Sequence, residues 1–165
     1  MVFKGKAHLF GDHINTDDII AGKYKHESID PAVLVKHIME NIRPGFYNDI
    51  NTGDFIVAGV NFGCGSSREQ APIIIKQAGI TAVLAKSFAR IFYRNAINIG
   101  LLLITCDTAK IREHDEVIYD PNNRQLAVPE RDICISTPLL PKEIIEISRN
   151  GGLLEFIKRN GGFYA

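Results

Sequence analysis

The sequence carries no net charge, with Lys and Arg balanced by Asp and Glu at 19 each, and no basic run. Phosphate backbones are bound by clustered cations, so the footprint of a nucleic-acid binder is missing. Cysteine is scarce: Cys64, Cys106 and Cys134 are odd in number and widely spaced. There is no Cys-x-x-Cys and no His/Cys grouping at structural-zinc spacing, so a disulfide framework or zinc knuckle is not expected. That usage suits a reducing cytosol. It also makes this chain a poor holder of an iron–sulfur cluster, which takes several thiolates, and none of its residues is expected to ligate a metal. Long apolar runs are lacking too. Stretches such as Ile99 to Ile104 are far too short to span a bilayer, and the N-terminus has no apolar leader pattern. The expectation is a soluble, cytoplasmic protein with neither membrane nor nucleic acid as partner.

What is present is an ordinary globular composition, 45% hydrophobic and 23% charged over 165 residues. This predicts one compact domain over 1–165, without repeat or linker. Lys4 to Phe10 alternates as a first strand. Gly11-Asp12-His13-Ile14-Asn15-Thr16-Asp17-Asp18 is dense in turn formers and acids, and reads as a solvated loop or as a polar ledge returning to the core at Ile19-Ile20. Asp30 as N-cap and Pro31 at the first helical position open a helix with apolar residues at Val33, Leu34, Ile38 and Ile42. Arg43-Pro44-Gly45 closes it. The polar segment Tyr24 to Asp30 before it is a candidate specificity loop.

From 55 to 105, strand and helix alternate. Strands are expected at 55–60, 81–85 and 101–105. One helix follows Ile73 and stops at Gly79, and a second runs from a capping Ser87 to Gly100. That alternation predicts a parallel α/β unit. Residues 115–128 instead read as a β-hairpin around Asp120-Pro121-Asn122-Asn123. A closing helix follows Pro138 and Pro141, and Leu153 to Arg159 forms a last amphipathic segment.

The chemistry concentrates in Asn61-Phe62-Gly63-Cys64-Gly65-Ser66-Ser67-Arg68-Glu69-Gln70, between a buried strand and a helix. A glycine turn there places backbone N–H groups and small hydroxyls at a helix N-terminus, which favours anions. Ser66 with Glu69 matches a capping box. Pro72 counts against it, because proline is tolerated in the first helical turn but not six positions in. Capping and ligand binding both remain open for Ser66 and Ser67. Arg68 beside them suits a carboxylate or phosphate and would stabilise a nearby oxyanion. No nucleophile elbow and no P-loop lysine is present.

The run Asn61 to Ala71, followed by Ala85-Lys86-Ser87-Phe88-Ala89-Arg90-Ile91-Phe92-Tyr93-Arg94-Asn95-Ala96-Ile97-Asn98, resembles the 3-isopropylmalate dehydratase small subunits of the aconitase superfamily. Phe10-Gly11-Asp12 with Asn15-Thr16-Asp17-Asp18-Ile19-Ile20 resembles their N-terminal signature, and the likeness covers nearly the whole chain. The resemblance implies an α/β fold: a swivelling β/β/α domain with a mixed central sheet or partial barrel flanked by helices. It implies a large-subunit partner that carries a 4Fe–4S cluster. The implied hydro-lyase reaction dehydrates and rehydrates a malate-type hydroxy acid reversibly. By motif position it implies Ser66 as the base, with Ser67 holding the substrate or the loop. Arg68 becomes the carboxylate clamp, and Asp17, Asn61, Gly63 and Gly65 become supports. Cys64 is a loop filler. Arg90 and Arg94 read as ion-paired scaffolding or as part of the large-subunit interface.

Substrate contacts are expected from Tyr24, Lys25, His26 and Ile29. Relatives acting on isopropylmalate carry apolar residues after the tyrosine, and homoaconitase-like relatives an arginine. Lys25-His26-Glu27-Ser28 matches neither. Isopropylmalate stands first, with homoaconitase and dimethylmalate dehydratase small subunits as alternatives. A non-catalytic carboxylate-binding module is the alternative of another class, and self-association of the isolated chain is left open.

Overall fold

The computed structural model describes residues 2–26 and 30–161, the side chains of Lys25 and His26 excepted. The chain runs β1 (Phe3–Leu9), α1 (Thr16–Ile19), α2 (Pro31–Leu34), β2 (Phe55–Ala58), α3 (Gln70–Gln77), β3 (Ala82–Ala85) and α4 (Arg90–Ile99). It continues through β4 (Leu102–Thr105), β5 (Glu116–Asp120), β6 (Gln125–Val128), β7 (Ile133–Ser136), α5 (Lys142–Arg149) and α6 (Leu153–Asn160). Short 3-10 turns lie at Gly22–His26, Val35–His37, Phe46–Asp49 and Pro129–Arg131.

All seven strands form one sheet in the order β4-β3-β2-β1-β5-β6-β7. β1 to β4 pair in parallel, whereas β5 joins β1, β6 joins β5 and β7 joins β6 antiparallel. This is the mixed α/β sheet that the strand–helix alternation and the hairpin pattern predict. Strand side chains alternate between faces, and here both faces are covered. Ile56, Ala58, Val83, Ala85 and Leu103 pack with α1 to α4 in one core. Phe55, Val57, Leu84, Leu102 and Ile104 share a second core with Val117, Tyr119, Leu126, Val128 and Ile135 of β5 to β7. Two ends of one sheet can share a core only if the sheet curls, and the result is a half-barrel.

Local chemistry explains most boundaries. The Asp30 side chain accepts from the Ala32 N–H ahead of Pro31. Gly79 and Gly100 follow α3 and α4 in left-handed conformations. Lys76 on α3 donates to the carbonyls of Ile99 and Gly151, closing the α4 C-terminus, and burial pushes its pKa down.

Three expectations need correction. The helix expected to run from Pro31 to Ile42 is an α-turn, Pro31–Leu34, that tightens to a 3-10 turn over Val35–His37 and ends there. Ile38 turns extended and Met39 left-handed, because the Met39 N–H bonds the Ile19 carbonyl at 2.9 Å. Ser87 does not cap α4, whose N-cap is Ala89 without a side-chain bond. Strand β7, Ile133–Ser136, has no counterpart in the sequence reading; it is a short strand after a left-handed Asp132.

Candidate active-site loop and its groove

Residues 59–69 connect β2 to α3, and three neighbouring segments hold them. On one side the Gly63 N–H donates to the Ile14 carbonyl (2.7 Å), the Thr16 N–H to that of Cys64 (2.9 Å) and the Thr16 hydroxyl to that of Ser66 (2.8 Å). On the other, the Asn61 N–H donates to the Ser87 hydroxyl (2.8 Å), and the Phe62 N–H to the Ser87 carbonyl (3.0 Å). Ser87 therefore terminates the loop rather than the helix. Asn61, Gly63 and Gly65 all have positive φ. A Cβ on Gly63 would lie 2.2 Å from Cγ of Phe92, so glycine is required where α4 crosses the loop.

These ties turn Gly65, Ser66 and Ser67 outward. Among the described residues, nothing hydrogen-bonds either serine hydroxyl. The capping alternative fails: α3 starts at Gln70, its N-cap Glu69 makes no side-chain bond, and Pro72 falls in the first turn. The serines face a groove of about 400 Å³ that Arg68, Thr16, Asn61, Phe88 and Asn95 help to line. Asn95 was not singled out as a site residue. Only the packing of α4 across the loop places it there.

Arg68 is largely enclosed, its side chain 11% exposed. It ion-pairs with Asp17, and its Nη1 donates to the Ile20 carbonyl at 3.1 Å. Its Nε is buried with no partner among the described residues. Asp17 also accepts from the Gly22 N–H at 3.3 Å, joining clamp and ledge to the segment that follows. Asp18 does something else. It completes a capping box with Asn15, each side chain accepting the other's N–H at 2.9 Å. Asn15 to Ile20 is thus the ledge, whereas Gly11, Asp12 and His13 before it are exposed.

Tyr24 lies 7% exposed, stacked on His37 with ring centroids 3.8 Å apart. Its hydroxyl donates to Glu40, a bond that pushes the Tyr24 pKa up and holds the Glu40 carboxyl below its usual range. In this state Tyr24 packs beneath its segment. Gly22–His26 forms a 3-10 turn, but the Lys25 and His26 side chains, and all of Ile29, lie outside the described residues.

Arg90 and Arg94 are exposed and take part in no ion pair among the described residues, which corrects the scaffolding reading. The cysteines are not gathered. Cys64 donates to the His13 carbonyl at 3.3 Å, Cys134 lies exposed on β7, and Cys106 is buried after β4. Burial pushes the Cys106 thiol up to about 12. Among the described residues no cysteine belongs to a group able to hold a metal, so this donor set does not fit an iron–sulfur cluster.

Comparison with known proteins places this architecture. The model of the aconitase C-terminal domain matches residues 11–109. The chain belongs to that family. It is 48% identical to the 3-isopropylmalate dehydratase small subunit of Halothermothrix orenii, covering 96% of both chains. It is equally 48% identical to the methanogen homoaconitase small subunit of Methanocaldococcus jannaschii, covering 96% of this chain and 93% of that one. The crystal structure of 3-isopropylmalate dehydratase from Methanocaldococcus jannaschii superposes with a TM-score of 0.91 at 46% identity. It covers 98% of this chain and 96% of that one. No helix among the described residues is long and apolar enough to cross a membrane.

Proposed function

We propose that this chain is the small subunit of a 3-isopropylmalate dehydratase, a cytoplasmic hydro-lyase that interconverts 2- and 3-isopropylmalate in leucine biosynthesis. The observation that carries the reading is the pair of unbonded serine hydroxyls presented beside Arg68 in the groove. In the reaction a carbon-bound proton leaves one carbon and hydroxide leaves its neighbour, giving an alkene. Rehydration with the two positions exchanged completes the isomerisation.

Ser66 Oγ takes the carbon-bound proton and returns it to the adjacent carbon. A serine is a weak base, so positive charge must favour its ionised form. Arg68 supplies that charge. Asp17 and the Ile20 carbonyl hold its fork in place, and its remaining N–H donors serve the substrate carboxylate or serine oxygen from the groove wall. Ser67 binds substrate alongside. The large subunit contributes the 4Fe–4S cluster, which supplies Lewis acidity for the departing hydroxyl. Arg90 and Arg94, exposed next to the groove and without an ion pair among the described residues, face that subunit.

The test is reconstitution with the cluster-loaded large subunit. Ser66→Ala is expected to lower kcat by roughly 10²- to 10⁴-fold, the usual worth of a positioned base, with the complex intact by gel filtration. Undiminished turnover would remove Ser66 from the base role. No rate gain from any large subunit, with carboxylate binding by the isolated chain, would instead establish a non-catalytic module.

A second substrate reading has its own support: the homoaconitase small subunit is as similar as the first relative. Lys25 and His26 bring cationic chemistry that would suit a further carboxylate, whereas Ile29 suits an alkyl group. Comparing kcat/KM for isopropylmalate, the homoaconitase substrate and dimethylmalate decides, and isopropylmalate is expected to lead.

A further inference from the structure

Away from the serine loop, the fold brings His8 on β1 against Glu113 and His114 from the connection into β5. The His8 ring is 1% exposed, and its Nε2 lies 2.8 Å from Oδ2 of Asp54. Asp54 also accepts the N–H groups of Lys6 and Asn51, both at 2.9 Å. With its oxygens aimed at those N–H groups, Asp54 offers Nε2 an acceptor. An ionised carboxylate can only accept, so Nε2 carries the proton. In the neutral ring the lone pair then sits on Nδ1. That nitrogen is buried and has no hydrogen-bond partner among the described residues.

Nδ1 looks instead onto a carboxylate. Oε1 of Glu113 is 3.8 Å away, too far for a hydrogen bond. The same oxygen is 3.8 Å from Nε2 of His114. A lone pair facing a carboxylate is repulsive unless a cation lies between them. Two ligands on one tetrahedral zinc, at about 2.1 Å each, stand about 3.4 Å apart, so small side-chain shifts would close both gaps. Glu113 has other partners: Oε1 accepts from Nη1 of Arg43 at 2.7 Å, and Oε2 from the Leu9 N–H at 2.6 Å. A carboxylate oxygen has two lone pairs, so Oε1 keeps one. Arg43 also contacts Asp49. Two carboxylates thus share one guanidinium, which leaves part of the Glu113 charge for a cation.

We propose that His8 Nδ1, Glu113 and His114 form a binding site for a divalent transition ion of the zinc class, with Asp54 holding the His8 ring in its ligating tautomer. Two imidazoles and a carboxylate select zinc, cobalt or nickel over calcium or magnesium. Asp54 is the outer-shell carboxylate that ligating histidines characteristically carry. His8 is enclosed while Glu113 and His114 reach solvent, so the ion has an entry path. Bound there, it ties the chain entering β5 to β1. The site is independent of the reaction proposed above.

The probes are Zn²⁺ by calorimetry and Co²⁺ by visible absorption. One ion per chain is expected, with the absorption of four-coordinate cobalt and no sulfur-to-metal band. Cys64→Ser/Cys134→Ser is expected to bind identically. His114 has a φ of 65°, a conformation asparagine tolerates, so His114→Asn keeps the fold. It is expected to weaken binding at least tenfold, and Asp54→Asn, which touches no metal, by roughly 10- to 100-fold. In the unaltered protein, Zn²⁺ should move the ¹⁵N resonance of His8 Nδ1. A resonance indifferent to Zn²⁺, or His114→Asn binding as tightly as the parent, overturns the site.

Discussion

In the proposed function Arg68 serves structure and chemistry together. Its fork closes on Asp17 and the Ile20 carbonyl, which would set the clamp before any substrate arrives. Lysine offers a point charge rather than a planar fork. Arg68→Lys is therefore expected to raise KM for the dicarboxylate and lower kcat in the reconstituted enzyme, with the fold kept by circular dichroism. Asp17→Asn, which frees the guanidinium, should act mainly on kcat. Equal kinetics for both variants and the parent would take Arg68 out of the site. The thiols differ just as sharply. Cys106 is buried and hard to ionise, Cys64 half-buried and Cys134 exposed. A thiol reagent at pH 8 is expected to modify Cys134 and Cys64 while sparing Cys106 until the protein unfolds, as peptide mass spectrometry would show.

Among the elements, the crossing of α4 over the serine loop carries the most consequence. Phe92 packs against Phe62 with ring centroids 5.3 Å apart and lies over Gly63. A side chain at Gly63 meets both an unfavourable φ of 79° and the Phe92 ring. The first costs about 1–2 kcal/mol and the overpacking about 1–3 kcal/mol. Gly63→Ala is thus expected to lose about 2–5 kcal/mol in urea unfolding, a large share of a domain's total stability. A loss under 0.5 kcal/mol would show that the crossing yields easily. The ledge before α1 is a milder case: Asn15→Ala removes one side of its capping box and should cost about 0.5–2 kcal/mol.

For the molecule as a whole, acid stability follows from carboxylates held below their usual range. Glu40 accepts the Tyr24 hydroxyl, which lowers its pKa in the folded state. A depressed folded pKa gives stability that is fully present above the unfolded value of about 4.3. It is lost as pH falls through the folded pKa, because the unfolded chain takes up the proton first. Unfolding midpoints should therefore drop between pH 6 and pH 3, and Tyr24→Phe should flatten that drop. An unchanged slope in Tyr24→Phe would mean that the bond contributes nothing to acid stability. In the proposed function the chain works with a cluster-bearing partner, so activity is expected to depend on that partner's concentration.

What the residues settled unaided was local. Pro72 counted against a helix start at Ser66 without deciding it, Gly79 and Gly100 ended helices, and Asp30-Pro31 opened one. Each acts through the dihedrals and hydrogen bonds of its own few neighbours, which any surroundings leave intact. Alternation over 55–105 was legible for the same reason, since a strand buried on both faces must be apolar throughout. The pairing of distant groups was not legible. Ser87 reads as a cap until Asn61 reaches it, and Val33 to Ile42 reads as helix until Ile19 draws Met39 out of it. Arg90 and Arg94 look like paired scaffolding, yet neither has an ion pair among the described residues, and His8 is unremarkable until the connection into β5 brings Glu113 to it. Those outcomes depend on which strands lie side by side and how far the sheet curls. Both are decided by the burial of the whole chain rather than by any stretch of it.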